Sequence, residues 1–165
     1  MSLYNGEVIV KKILLTTLAF LMVSLSVLAD DRQAALNFFN DYIKAANTYS
    51  PAITEMYSPN AKIIRQVVKP DGTTQNVATD TATYIKQMKL GQAGAKLRRY
   101  TNSYTNVTVT PLGNNKYKVS SLRQPSGESY RLKTYMIVQK QSNGKWLIVE
   151  EMMQTKVQTF LKYAK

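Results

Sequence analysis

The stretch Ser129–Thr155, SYRLKTYMIVQKQSNGKWLIVEEMMQT, constrains the fold more than any other part of the chain. Two runs alternate apolar and polar residues, and Ser142-Asn143-Gly144 joins them. Alternation sends successive side chains to opposite faces of a strand, and a short link with Asn and Gly returns the chain antiparallel. A two-stranded hairpin is marginal in water and needs further strands and a covering layer. The residues upstream are expected to supply both.

Asp30 or Asp31 is expected to cap a first helix, with Leu36, Phe39, Ile43 and Ala46 at helical spacing, flanked by Phe38 and Tyr42. That helix ends near Asn47 to Ser50, and Ser50-Pro51 opens a second, short one with Ile53, Met56 and Tyr57 inward. Ala61–Val68 reads as a strand from its β-branched content, and Pro70-Asp71-Gly72 turns it into a second over Thr73–Val77. Thr79 or Asp80 caps a third helix carrying Tyr84, Ile85 and Met88, whose end Gly91 and Gly94 are expected to loosen. Leu97–Thr110, a turn at Pro111–Asn115, Lys116–Gln124, a turn at Pro125-Ser126-Gly127 and the hairpin then give four antiparallel strands. Thr155–Lys165 reads as a short amphipathic tail. Helices followed by strands predict the α+β class: three N-terminal helices packed on a strongly bent, mainly antiparallel sheet that ends in a long hairpin.

The composition excludes much chemistry. The chain has no cysteine and no histidine. Disulfides, thiolate nucleophiles, serine–histidine hydrolysis and histidine-based metal sites are therefore ruled out. No metal and no cofactor are expected.

The N-terminus reads as a targeting segment. Lys11-Lys12 precede an uncharged run from Ile13 to Leu28, and Val27-Leu28-Ala29 offers small residues at the −3 and −1 positions before Asp30. The run is shorter than the roughly 20 residues a spanning helix needs. Residues 1–29 are therefore expected to be a signal peptide and 30–165 a single domain with a short C-terminal tail. Initiation at Val10 would give a more compact signal. Cleavage removes two lysines and one glutamate, so the net charge falls by one from +12. The periplasm or the exterior of a bacterium is the expected location. Asn106-Val107-Thr108 matches a glycosylation acceptor but reads as ordinary strand.

The order of elements, with FFNDYIKA in the first helix, YSPNAKI leading into the first strand and GKWLIVEEM in the last, resembles the NTF2-like (SnoaL-like, cystatin-type α+β cone) superfamily. The resemblance implies a pocket between the helices and a concave sheet, and in many members a dimer formed through the sheet. Members similar to ketosteroid isomerase hold an acidic base just after the YSPNAKI-like stretch. Here Arg65 falls at or near that place and cannot accept a proton. Dehydratases of the superfamily lean on histidine, which is absent. The closing strand and TKVQTFLKYAK are also similar to the end of periplasmic phospholipid carriers, whose extra helices are missing here.

Glu55, Asp80, Glu150 and Glu151 are the remaining carboxylates in plausible inward positions. Strict alternation along the last strand groups Glu150 with Trp146 and Ile148, and Glu151 with Leu147 and Val149. If the domain is an enzyme, a lyase, isomerase or hydrolase, Glu150 with Arg65 is the expected pair, with tyrosine or arginine assistance. Tyr42, Tyr57, Arg65, Tyr84, Arg123 and Glu150 are the expected ligand-binding residues, because half-buried tyrosines suit a partly apolar ligand. Lys96, Arg98, Arg99, Lys116, Lys118, Arg131 and Lys133 are expected to form an anion-attracting surface. Anionic lipid or cell-wall polymer is a better match to an exported chain than nucleic acid. The expected function is non-enzymatic: binding of a small partly apolar ligand or a protein partner, with a homodimer or an envelope or secretion assembly as further partners.

Overall fold

The computed structural model describes residues 29–164, so the expected signal segment, apart from Ala29, lies outside the described residues. The chain divides after Ala34. Residues 29–34 are helical, so Asp30 and Asp31 sit within helical backbone rather than at the expected cap; Ala29, a strong helix former, already precedes them. The second unit begins with α1 (35–47) and contains every strand of the described residues. Among the described residues no helix is long and apolar enough to cross a membrane.

The second expected helix is a single stretch of 3-10 helix, Pro51–Met56, with Ser50 at its cap and proline in its first turn. Two α-helices and one 3-10 helix therefore stand where three helices are expected. Strands β1 (Tyr57–Val68) and β2 (Thr74–Thr79) form an antiparallel pair. Helix α2 (Thr81–Leu97) follows, and the Asp80 carboxylate accepts the Thr83 N–H at 2.8 Å. It runs through Gly91 and Gly94 rather than fraying there, since its last turns end in a closed hydrogen-bonded cap. The sheet is completed by β3 (Asn102–Gly113), β4 (Lys116–Pro125), β5 (Leu132–Lys140) and β6 (Trp146–Thr155). The expected turn at Pro111–Asn115 shrinks to Asn114-Asn115, both at positive φ, because Pro111 still pairs with Tyr117. The tail forms a 3-10 turn, Gln158–Tyr163.

Strand order is β2-β1-β6-β5-β4-β3, antiparallel except for β1 beside β6. Phe39 and Tyr42 of α1 pack with Ile63, Val119, Met136, Val138 and Ile148 from four strands in one core. In β4 the alternation is regular: Tyr117, Val119, Ser121 and Arg123 are buried while Lys116, Lys118 and Ser120 are not.

In β6 the alternation breaks. Ile148 pairs with Val138, yet Glu150 pairs with Ile137, leaving Val149 as an extra residue. One extra residue in one strand is a β-bulge, and it resets which positions face inward. Ile148 and Glu151 consequently share the inner face, at 0 % and 1 % exposure, while Glu150 turns outward. A second irregularity lies between Tyr57 and Lys62 in the pairing of β1 with β6, and Tyr57 and Ile63, an even number of residues apart, both lie in the core.

Candidate functional site

Two features of the interior are chemically distinctive: a carboxylate held in the core and a cleft between the helices. Glu151 receives four donors. Its Oε1 accepts Arg65 Nη1 at 2.8 Å and the Tyr84 hydroxyl at 3.3 Å. Its Oε2 accepts the Tyr57 hydroxyl and, at 3.4 Å, that of Tyr42. The donors come from three elements: Tyr42 from α1, Tyr57 and Arg65 from β1, and Tyr84 from α2. The Arg65 guanidinium also lies 4.7 Å from the centre of the Tyr84 ring. Edge contacts link Tyr57 to Tyr84, Tyr42 to Tyr57 and Phe39 to Tyr104, so rings fill the space around the ion pair.

Electrostatics favours this arrangement. Burial, reinforced by the negative charge of Glu151, pushes the Tyr42 and Tyr57 phenols well above their ordinary range. Burial also raises Tyr84, against the opposing charge of Arg65, and raises Tyr104. Burial works to lower the Arg65 pKa, but Tyr84 and Glu151 outweigh it and the net shift is upward. Near neutral pH the phenols therefore stay protonated and donate to the carboxylate. They are not general bases.

The expected site residues are placed as follows. Tyr42, Tyr57, Arg65 and Tyr84 do converge, but on Glu151. Glu150 is corrected to the outer face, where it accepts the Tyr135 hydroxyl at 2.6 Å and stands 3.9 Å from Lys62 Nζ; the bulge at Val149 is the cause. Glu55 is exposed on the 3-10 helix, and Asp80 caps α2. Arg123 belongs to a different group. Its Nη1 donates to Asn102 Oδ1 at 2.7 Å and to the Tyr100 hydroxyl at 3.3 Å, and its Nη2 donates to the Gln154 carbonyl at 3.0 Å. Asn102, Tyr100 and Tyr104 were not expected. The one signal for Asn102 is the isolated Asn47 at the end of a helix, which grips the Asn102 backbone N–H and carbonyl with its side-chain amide, both at 2.9 Å.

The basic residues fall into two sets. Lys116, Lys118 and Lys133 lie outward on the adjacent strands β4 and β5, with Lys118 Nζ 4.1 Å from the centre of the Tyr135 ring. Arg131 precedes β5 and donates to Gln124. Lys96, Arg98 and Arg99 instead sit at the C-terminal end of α2, where cations complement the helix dipole.

The cleft opens between the end of α1, the 3-10 helix and α2, with a volume of about 240 Å³. Ala46, Ile53, Met88 and Ala95 make it apolar, and Tyr49, Tyr100 and Asn102 form its polar edge. Glu151 and Arg65 do not line it. Among the described residues no cluster of acidic side chains is arranged to hold a metal.

No family profile matches the chain. No curated protein matches it in sequence. Solved structures do match. An NTF2-like protein of unknown function from Shewanella oneidensis is similar with a TM-score of 0.55 at 14 % identity, over 77 % of this chain and 98 % of the other. Nuclear transport factor 2 from Cryptosporidium parvum matches with a TM-score of 0.55 at 17 % identity, over 74 % and 91 %. A protein named as a candidate scytalone dehydratase from Novosphingobium aromaticivorans matches with a TM-score of 0.54 at 15 % identity, over 73 % and 80 %. The chain has the NTF2-like α+β cone fold.

Proposed function

We propose that this chain is an exported binding domain without chemistry of its own, and that the cleft between α1 and α2 receives a small, partly apolar ligand. The observation that carries the reading is Glu151. The carboxylate of the cone is 1 % exposed and already engaged by Arg65 and three phenols, which leaves it neither space nor a free lone pair for a substrate proton. The cleft, by contrast, is open and mainly apolar, as small-molecule sites commonly are.

Native mass spectrometry of the full-length chain and of an Ala46→Trp variant tests this. Ala46 lines the cleft on α1, and a large side chain there fills the space. A retained small-molecule adduct in the wild type, absent from a folded Ala46→Trp variant, is the expected result. Identical spectra from the two proteins after exposure to a cell extract would refute the reading.

A second reading keeps chemistry in the cone. Its support is the Glu151 carboxylate set among three phenols inside the cone, together with the dehydratase name carried by one protein of the same fold. It requires Glu151→Gln to abolish a turnover that a folded protein otherwise performs. Export is part of the first reading, and so are an outer sheet face that meets a second copy and basic residues that meet an anionic lipid or cell-wall polymer. An intact mass beginning at Asp30 in the periplasmic fraction is expected; an uncleaved chain found only in the cytoplasm would count against export by this signal.

A further inference from the structure

Arg123 is 5 % exposed and lies on the inner face of β4. All its hydrogen-bond partners are neutral: Asn102 Oδ1, the Tyr100 hydroxyl and the Gln154 carbonyl. Its Nε–H has no partner among the described residues, and neither of the two ion pairs found there includes it. A guanidinium does not give up its proton, so a positive charge is held out of water without a counter-charge. Arg65 shows the contrast: it is also in the interior, and Glu151 answers it at 2.8 Å.

Two of the Arg123 partners, Tyr100 and Asn102, are also walls of the cleft. The cleft is thus mainly apolar, with Ala46 and Met88 in its lining, and an unanswered cation is bonded to two of its polar residues. Lys89 adds a second cation to the lining, which holds no acidic residue. A neutral ligand leaves the Arg123 charge uncompensated. An anionic group at the Tyr100–Asn102 wall compensates it through charge-assisted hydrogen bonds.

Resting on the reading of the cleft as the binding site, we infer that its ligand is a small organic monocarboxylate with a compact apolar body, such as a short-chain or single-ring aromatic acid. The carboxylate meets Tyr100 and Asn102, and the body lies between α1 and α2.

Isothermal titration calorimetry of the full-length chain with benzoate and hexanoate, against benzamide and hexanamide, tests the inference. The acids are expected to bind about tenfold or more tightly than their amides, the scale of one hydrogen bond to a charged group. Asn102→Asp supplies an internal counter-charge 2.7 Å from Arg123 with almost no change of shape. It is expected to raise the unfolding midpoint and erase the preference for acids, while amides still bind. Equal binding of acids and amides, lost together in Ala46→Trp, would overturn the inference and leave the cleft as a binding site. Failure of both classes to bind overturns the inference, and identical native mass spectra for wild type and Ala46→Trp would then remove the cleft reading as well. An Asn102→Asp protein that is less stable than wild type also overturns it.

Discussion

Arg65 and Glu151 stand on the neighbouring strands β1 and β6, joined at 2.8 Å with side chains 12 % and 1 % exposed. Removing either partner leaves the other charged, buried and unanswered, which costs about 3–5 kcal/mol. Glu151→Leu and Arg65→Met are each expected to lose stability on that scale in urea unfolding. The double variant should lose clearly less than the sum of the two, since apolar side chains of similar size replace both charges. Additive losses would show that the pair is not coupled.

Glu150, one residue away, is expected to behave differently. Its pairing with Lys62, whose side chain is 63 % exposed, is a surface contact at 3.9 Å. Contacts of that kind contribute about 0–1 kcal/mol. Glu150→Gln keeps an acceptor for the Tyr135 hydroxyl and should unfold within about 0.5 kcal/mol of wild type. A loss as large as that of a Glu151 variant would mean that the strand faces have been assigned the wrong way round.

The contrast between the two glutamates shows what the sequence reveals and what it hides. The hairpin, the caps at Ser50 and Asp80, the antiparallel order of the last four strands and the inward tyrosines are all local patterns. Each is read from a few neighbouring residues, because side-chain periodicity and capping are local physics. The inward direction of Tyr42, Tyr57 and Tyr84 is read for the same reason, while their meeting with Arg65 around one acid depends on contacts between distant segments. The identity of that acid is not read locally either, since alternation from Ile148 selects Glu150 and only the pairing with β5 reveals the extra residue at Val149. The parallel pairing of β1 with β6 and the meeting of Arg123 with Tyr100 and Asn102 depend on contacts between distant segments. No short motif announces them.

The tyrosines set an alkaline limit on the fold. Tyr42, Tyr57, Tyr84 and Tyr104 have folded-state pKa values above their unfolded value of about 10. A group raised in the folded state binds its proton more tightly there. Its contribution is complete below pH about 10 and is lost as pH rises toward the folded value. The urea midpoint should therefore be insensitive to these groups near neutrality and fall steeply above pH about 10. Phenolate absorbance of the native protein should show part of its tyrosines ionising only with unfolding. Complete ionisation in one step near pH 10, with the fold intact, would contradict the buried cluster.

Both helices end in the same strained way. At the end of α1, Ser50 N–H bonds to Ala45 and Tyr49 N–H to Ala46; at the end of α2, Tyr100 N–H bonds to Ala95 and Arg99 N–H to Lys96. This paired closure places Tyr49 at φ 57° and Arg99 at φ 51°, a conformation that glycine adopts without penalty and other residues at about 1–2 kcal/mol. Arg99 is exposed, so Arg99→Gly should stabilise the fold by about 1 kcal/mol and leave ligand binding unchanged. Tyr49→Gly relieves the same backbone strain but removes a ring that lines the cleft. It is expected to hold or gain stability while weakening the binding of benzoate. Chemical denaturation and calorimetry on the two variants separate the effects, and unchanged affinity in Tyr49→Gly would show that the ring has no part in the site.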